Sequence, residues 1–237
     1  MAHTFVLVHG AWAGSWCWRR VADQLRRDGH TVFTPTLTGL GERSHLLRPG
    51  IDLATHVADI INVMRWEQLS DVVLCGHSYG GFVISGVAEA VPALIRALVF
   101  LDAFVPENGD TIQKLTASAP ALQDAIRAAL QRGDLGVPPR PAEAWGVNEA
   151  DRQWVDDFCV PQPIGTFTSP IALSGARENI ERKTYIRAKG YNNPIFDRAL
   201  ATPQSDPSWH CHQVPCGHFV MVDMPDRLTE LLLQASA

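Results

Sequence analysis

Hydrophobic and polar positions follow two different periods along the chain. Short apolar runs of strand length, such as "TFVLVHG" and "DVVLCG", alternate with stretches whose apolar residues recur every three or four positions. In "WRRVADQLRRDG", for example, Val21 and Leu25 share one helix face, and Gly29 follows as a stop signal. This alternation predicts an α/β fold in which a mostly parallel sheet is covered by helices on both faces.

The alternation of strands and helices is interrupted in the middle of the chain. Residues 106–170 contain helical stretches such as "APALQDAIRAALQRG" and the loop "GVPPRPAEAWG", but no convincing core strand. We interpret residues 106–170 as an inserted helical cap. The strand pattern resumes with "KTYIRAKG", so residues 1–105 and 171–237 together form the predicted core.

The composition is that of one large domain. Of the 237 residues, 46% are hydrophobic, which is enough to build a substantial core. The formal net charge is -5 and no basic block is present, which argues against nucleic acid as a partner. The apolar runs are too short to span a membrane, and the N-terminus lacks the pattern of a secretory signal. Five scattered cysteines fit a reducing compartment, and we therefore expect a cytoplasmic protein.

The segment "VVLCGHSYGG" contains the strongest candidate for a catalytic residue. It matches the pattern Gly-x-Ser-x-Gly at Gly76, Ser78 and Gly80, between an apolar strand and an amphipathic helix. In such a turn the glycines remove side chains that would clash, and the serine hydroxyl is exposed above the edge of the sheet. Ser78 is therefore the candidate nucleophile, and a glycine-rich turn with a helix-capping serine is the alternative.

Acyl transfer also needs two backbone N–H groups that stabilise the negatively charged oxygen of the intermediate. One usually belongs to the residue after the nucleophile, here Tyr79, and the other to the loop after an early strand. That loop reads "HGAWAGSW", and we assign Ala11 as its donor. His9 and Gly10 begin this loop. The alternative to an oxyanion loop is that they only form a tight turn without a chemical role.

Several motifs along the chain resemble one group of enzymes. They are "FVLVHGAWAGSWCW", "LTGLGERSH", "CGHSYGG", "LVFLDAFVPENG" and "PCGHFVMVDMP". The chain resembles the α/β-hydrolase superfamily and, within it, the small esterases that include plant methyl esterases and hydroxynitrile lyases. The resemblance implies an α/β-hydrolase fold and a triad of serine, acid and histidine. The cap segment matches least, and the cap usually determines the substrate.

His218, in "PCGHFVMVDMP", is the predicted catalytic histidine. It lies between the last strand and the last helix, and the triad order in this fold is serine, acid, histidine. Such a histidine can accept the proton of Ser78 and return it to the leaving group. The nearby "HCHQVPCGH" resembles a metal cluster, but His210 and His212 alternate with Cys211 on a strand, so the ligands would point to opposite faces. We therefore expect neither a metal nor a cofactor.

The acid of the triad is harder to assign. In the family that this chain resembles, the acid most often follows the strand here read as "TYIRAKG", but the next loop begins with Tyr191, Asn192 and Asn193. Asp102 ends the strand "LVFLD", next to the nucleophile strand, and some α/β-hydrolases place their acid there. A carboxylate at a buried strand end is costly without a partner, so we expect Asp102 to have one. We assign Asp102 as the acid of the triad. The alternatives are Asp197, Asp206, Asn192 or no acid at all.

Aromatic residues are concentrated in the segments expected around this site. The predicted pocket residues are Trp12, Phe104, Trp145, Trp154 and Phe219. An aromatic and apolar pocket fits a small apolar or aromatic ester. The favoured function is therefore that of a serine carboxylesterase that works through an acyl-enzyme intermediate.

Other functions stay open on the same scaffold. A hydroxynitrile lyase typically carries a lysine after the catalytic histidine and a threonine near the oxyanion loop, where this chain has Phe219 and Ala11. A cofactor-free lactone-opening enzyme or cyclase cannot be separated from an esterase by sequence. A small-molecule receptor without turnover is the alternative of another class, although intact Ser78 and His218 argue against it. A homodimer is also left open.

Overall fold

The computed structural model describes residues 2–237. The strands of this part of the chain are β1 (Thr4–Val8), β2 (Thr31–Phe33), β3 (Val72–His77), β4 (Ile95–Leu101), β5 (Gly136–Val137), β6 (Gln162–Pro163), β7 (Arg182–Ala188) and β8 (Trp209–Val214). The main sheet has six strands in the order β2-β1-β3-β4-β7-β8, and its neighbouring strands are parallel. The predicted parallel sheet is thereby confirmed.

Helices connect these strands. The α-helices are α1 (Arg19–Arg27), α2 (Leu53–Trp66), α3 (Gly80–Ala90), α4 (Ile112–Leu115), α5 (Pro120–Arg132), α6 (Arg152–Phe158), α7 (Gly165–Thr168), α8 (Pro194–Ser205), α9 (Val220–Asp223) and α10 (Pro225–Ser236). Short 3-10 helices occupy Ser15–Trp18, Gly41–Leu46, Pro92–Leu94, Ala142–Trp145, Glu149–Asp151 and Ala176–Asn179. Within residues 2–237, no helix has the length and apolar character needed to cross a membrane.

The helices cover both faces of the sheet. The connection through α1 runs from β1 to β2, towards one edge of the sheet, whereas those through α2 and α3 run in the opposite direction. Because crossovers between parallel strands are right-handed, α1 lies on one face, and α2 and α3 lie on the other. In agreement, α1 packs against α10, and α2 packs against α3.

The central strands form the core of the molecule. Every residue of β3 is buried, and so is β4 from Ala97 to Leu101. Their continuous apolar runs are those expected of parallel strands that are covered on both faces. Since the carboxyl ends of parallel strands lie at one edge of a sheet, the residues that follow β3, β4, β7 and β8 are brought close together there.

Residues 106–170, the cap segment, contain α4 to α7 and one feature that the sequence does not predict. The strands β5 and β6 form an antiparallel pair in which Val137 is opposite Gln162 and Gly136 is opposite Pro163. Strands of two residues are too short to show an alternating pattern, and a proline donates no ladder hydrogen bond, so this pair leaves no signal in the sequence. The interpretation of the segment as an inserted cap stays a prediction.

Candidate active site

Ser78 lies at a sharp turn between β3 and α3. Its backbone is in the left-handed region, with a φ of 54°, which is uncommon for a residue other than glycine. A Cβ atom at Gly76 would lie 2.5 Å from the carbonyl oxygen of Gly80, and one at Gly80 would lie 3.0 Å from the carbonyl oxygens of Val8 and His9. Gly76 therefore leaves no room for a side chain and Gly80 leaves very little, and the strained turn leaves the Ser78 side chain at the carboxyl end of the sheet.

His218 and Asp102 are joined by a buried hydrogen bond. Nδ1 of His218, which follows β8, donates to Oδ2 of Asp102, which follows β4, over 2.7 Å. Asp102 is fully buried and also has a left-handed backbone, with a φ of 41°. Because the proton of the imidazole is held on Nδ1 by the carboxylate, Nε2 is left as the nitrogen that can accept a proton.

Ser78 and His218 line the same cavity. Within residues 2–237, no hydrogen bond joins the Ser78 hydroxyl to the His218 ring. In enzymes without bound substrate such bonds are often long and tighten when substrate binds. The fold therefore brings a strained serine and a carboxylate-bound histidine to one cavity wall.

Arg187 neutralises the second oxygen of the buried carboxylate. Its Nη1 donates to Oδ1 of Asp102 over 2.8 Å, and the backbone N–H of Ala188 donates to the same oxygen over 3.0 Å. The side chains of Arg187 and Asp102 are 1% and 0% exposed. Burial alone would lower the pKa of Arg187, but the carboxylates of Asp102 and Asp197 outweigh it and raise that pKa. The partner that a buried Asp102 requires is thus present.

The alternative acids are placed elsewhere. Asp197 lies on α8, where its Oδ1 accepts hydrogen bonds from Nε of Arg187 and Nζ of Lys189, each over 3.0 Å. Asp206 ends that helix and accepts from the backbone N–H of Ser208. In the part of the chain that the structure describes, neither of them nor the exposed Asn192 hydrogen-bonds His218.

Two backbone N–H groups next to Ser78 are without a partner. Among the described residues, neither the N–H of Ala11 nor that of Tyr79 donates a hydrogen bond, and both residues line the cavity with Ser78. The loop that carries Ala11 is held by His9, whose Nδ1 donates to the Gly10 carbonyl over 2.8 Å. Complete burial lowers the pKa of His9 to about 4, so this side chain is neutral and orders the loop.

The cavity has a volume of about 240 Å³. Besides Ser78, Tyr79 and His218, apolar and aromatic side chains form most of its wall: Trp12, Phe104, Ile112, Leu122, Trp145, Phe167, Ile195 and Phe196. The predicted pocket residues Trp12, Phe104 and Trp145 are among them. The indole rings of Trp12 and Trp145 lie 5.6 Å apart and form one side of the cavity.

A model of the alpha/beta hydrolase family matches residues 5–231. The chain belongs to the alpha/beta hydrolase family. It is 43% identical over 235 residues to the carbendazim hydrolyzing esterase of Nocardioides sp. (strain SG-4G), which covers 96% of this chain and 97% of that protein. It is 36% identical over 107 residues to methylesterase 10 of Arabidopsis thaliana, covering 45% of this chain and 39% of that protein.

A solved structure has the same fold. The extracellular alpha/beta-hydrolase from a Paenibacillus species superposes with a TM-score of 0.85 at 24% identity, covering 98% of both chains. Together with the family match, this confirms the α/β-hydrolase fold that the motifs predict. The resemblance to the small esterase group is also confirmed, and it supports an esterase function for this alpha/beta hydrolase.

Two of the five predicted pocket residues do not line the main cavity of this hydrolase. Trp154 packs edge-on against Trp16, with ring centroids 5.2 Å apart, and the guanidinium of Arg20 lies 5.2 Å from its ring. Phe219 is buried beside His218, where it packs against Trp16 and His77, and it lines only a small adjoining pocket of about 10 Å³ that Ser78 and His218 also line. Trp154 points away from the site because the side of α6 that carries it packs against the loop after β1 rather than against the cavity.

The histidine and cysteine cluster at the end of the chain forms no metal site in the described residues. His210, Cys211 and His212 alternate along β8, with Cys211 exposed on one side and His212 half-buried on the other. Across residues 2–237, no group of three or more His, Cys, Asp or Glu side chains is arranged to hold a metal ion.

Arg187 and Gln162 have contacts at this site that no motif indicates. Arg187 leaves a weak signal, because a cation at the end of the strand "KTYIRAKG" needs a buried anion nearby. Gln162 leaves none: its partner, the backbone N–H of Trp12, is 150 residues away in the chain. Arg140, the only permanently charged residue among those that line the cavity, lies in a proline-rich loop that reads as a simple linker.

Proposed function

We propose that this protein is a serine-dependent hydrolase that cleaves a small or aromatic carboxylic ester through an acyl-enzyme intermediate. The observation that carries the proposal is the buried hydrogen bond between His218 and Asp102 beside the strained Ser78. A serine alone in a cavity is a poor nucleophile, whereas a serine beside a histidine that a carboxylate orients is an activated one.

In the first half of the reaction, the Ser78 oxygen attacks the ester carbonyl and its proton passes to Nε2 of His218. The carbonyl oxygen becomes negatively charged and accepts hydrogen bonds from the free N–H groups of Ala11 and Tyr79. Asp102 stabilises the imidazolium that forms. The carbon–oxygen bond of the ester then breaks, and the alcohol leaves with the proton of His218.

In the second half, water attacks the acyl group on Ser78. His218 takes one proton from this water and returns it to the Ser78 oxygen as the acid product leaves. The same two N–H groups stabilise the second tetrahedral intermediate, so one set of residues serves both steps.

The cavity supports a substrate with a flat apolar part. Its walls are mainly aromatic, and its volume of about 240 Å³ suits one ring with a short ester group. A relative that aligns with 96% of this chain is named as a carbendazim hydrolyzing esterase. We therefore include carbendazim and aromatic methyl esters among the proposed substrates.

Arg140 adds a preference within this class. Its side chain lines the cavity and makes no hydrogen bond or ion pair with another residue of the described chain, while Pro139 and Pro141 restrict its backbone. We expect it to favour esters that carry a second, negatively charged group.

A matched pair of substrates tests this preference. For Arg140→Gln, kcat/KM on methyl 4-carboxybenzoate should fall about three- to fivefold, as for a solvent-exposed ion pair. On neutral methyl 4-methylbenzoate it should change less than about twofold. An equal change on both esters would contradict a charge preference.

Replacement of the nucleophile tests the proposed function. Ser78→Ala should lower kcat on p-nitrophenyl esters by a factor on the order of 10⁶ while circular dichroism stays unchanged. The exposed Ser174 is a matched control, and Ser174→Ala should keep full activity. A serine-directed organophosphate should label Ser78 in the wild type, as located by peptide mass spectrometry.

The same panel separates the rival functions. Mandelonitrile cleavage without ester hydrolysis would indicate a hydroxynitrile lyase. Binding of aromatic esters without turnover by the wild type would indicate a receptor. Near wild-type turnover by Ser78→Ala would contradict the nucleophile itself.

A further inference from the structure

All three polar groups of Trp12 are bonded to the cap segment. Its backbone N–H donates to the Gln162 side chain over 2.9 Å, and its indole N–H donates to the Val137 carbonyl over 2.9 Å. Its own carbonyl accepts from the N–H of Val160 over 2.9 Å. These partners belong to the β5–β6 pair and the residue two positions before β6, so the cap holds the loop after β1 at three points.

Trp12 needs this support because its backbone is strained. Its φ is 64°, a conformation that costs on the order of 1 kcal/mol or more for a bulky side chain. It follows Ala11 directly, and the N–H groups of the two residues have different surroundings. The Ala11 N–H is free beside Ser78, whereas the Trp12 N–H is engaged by the cap.

Gln162 is built to accept this hydrogen bond. The side chain is fully buried, and its Nε2 donates to the Thr166 hydroxyl over 2.8 Å. The Thr166 hydroxyl proton is used in turn on the Pro163 carbonyl over 2.6 Å. Since Thr166 has only an acceptor left, the Gln162 amide must direct its nitrogen to Thr166 and its oxygen to Trp12.

We propose that Gln162 is a positioning residue that holds the oxyanion loop from the cap. By binding the Trp12 N–H, it fixes the peptide plane between Ala11 and Trp12 and keeps the Trp12 N–H from turning towards the cavity. The Ala11 N–H belongs to the preceding peptide unit, whose Gly10 carbonyl accepts from His9. Because the peptide units on both sides of the Ala11 Cα are then held, the Ala11 N–H is aimed at the place where the negatively charged oxygen forms. This role rests on the proposed esterase function, in which Ala11 donates to that oxygen.

The consequence is specific to the transition state. Ground-state binding depends on the cavity walls, which Gln162 does not line. Loss of the Trp12 contact should therefore weaken the stabilisation of the tetrahedral intermediate and leave the affinity for an uncharged ligand nearly unchanged.

The test compares variants with and without an acceptor. Gln162→Met keeps the volume but removes the acceptor, and kcat on a p-nitrophenyl ester should fall about 10- to 100-fold with KM within about threefold. Gln162→Glu keeps an acceptor for the Trp12 N–H and, as the neutral carboxyl that burial favours, an O–H donor for Thr166, so it should recover most of that loss. Thr166→Val disturbs the same buried network without removing the Trp12 contact, and its kcat should stay within about threefold.

Inhibitor affinities provide the second readout. Phenylboronic acid takes up the Ser78 oxygen on boron and gives a tetrahedral adduct, so its inhibition constant should rise in Gln162→Met by about the same factor as kcat falls. The inhibition constant of benzyl alcohol should change less than about twofold.

The outcomes separate the two proposals. If Gln162→Met keeps kcat and boronate affinity while Ser78→Ala is inactive, the positioning role is wrong and the esterase function stands. The positioning role is equally wrong if Gln162→Met and Thr166→Val lose the same activity, or if benzyl alcohol binding falls as much as boronate binding. If wild-type protein neither cleaves esters nor binds the boronate, the proposed function itself fails.

Discussion

His218 and His56 are both buried, but their surroundings are opposite. Nδ1 of His218 donates to the carboxylate of Asp102, and its ring borders the cavity. His56 is bonded only to uncharged groups: its Nε2 donates to the Thr38 carbonyl over 2.9 Å, and its Nδ1 accepts from the Tyr79 hydroxyl over 3.0 Å. Burial lowers the pKa of His56 to about 4.

The difference shows what a histidine needs to act as a base. His56 has both nitrogens occupied, and a proton taken up there would be buried without a compensating negative charge. His218 has a carboxylate on one nitrogen and, within the described residues, no hydrogen-bond partner on the other. Burial alone therefore does not prepare a histidine to act as a base; the proposed base, His218, differs from His56 in having a buried carboxylate whose own cation is Arg187.

The largest effect on kcat is expected when His218, like His56, is left with only uncharged hydrogen-bond partners. Asp102→Asn replaces the carboxylate by an uncharged amide that can stabilise the wrong tautomer of the imidazole. We expect kcat to fall by at least about 10²-fold and towards 10⁴-fold, with the protein still folded. Kinetics on one ester, with circular dichroism as the check on folding, measure this. A fully active Asp102→Asn would mean that another group orients His218.

The second prediction concerns the pH dependence of stability. The pKa values of His9 and His56 are each lowered by burial from about 6.5 in the unfolded chain to about 4. Between these values the unfolded state binds more protons than the folded state. The free energy of unfolding should thus be highest above pH 6.5 and fall, by a few kcal/mol in total, as the pH drops towards 4.

Urea unfolding at several pH values measures this dependence. Burial also lowers the pKa of His77. Because His56→Gln removes one of these contributing groups, the stability of this variant should depend less steeply on pH than that of the wild type. A pH dependence that is identical in both proteins would show that His56 does not stay neutral in the folded state.

The smallest effect is expected at the other carboxylate that Arg187 contacts. Asp197 is 42% exposed and is bonded to Lys189 as well as to Arg187. Partial burial raises its pKa, but the hydrogen bonds from Lys189 and Arg187 outweigh it, so the pKa lies below the usual value. Because Asp197 does not touch His218, kcat of Asp197→Asn should stay within about threefold of wild type. An inactive Asp197→Asn beside an active Asp102→Asn would reverse the assignment of the acid.

Features that depend on neighbouring residues could be predicted from the sequence. The parallel sheet follows from the alternation of apolar strands and amphipathic helices, and the turn at Ser78 follows from glycines two positions on either side. Both are local, because a strand needs only its own apolar run and the turn needs only room for its backbone. The role proposed for His218 rests on its place after the last strand and on the triad order of the family that the chain resembles.

Features that join distant parts of the chain could only be ranked or were missed. The contact between Asp102 and His218 spans 116 residues, and the sequence offered Asp197, Asp206 and Asn192 as rivals. The β5–β6 pair and its contact with Trp12 left no signal, and Trp154 was expected in a cavity from which the packing of α6 excludes it.

The sequence by itself determined the fold class and the strained turn at Ser78, since each depends on short stretches of chain, and its family resemblance proposed His218 as the histidine. Only the tertiary structure decided which carboxylate meets the histidine and which cation neutralises it. The physical reason is that a buried charge is tolerated only where a partner of opposite charge is brought within hydrogen-bonding distance. For Asp102 that partner is Arg187, from the neighbouring strand β7, 85 residues further along the chain.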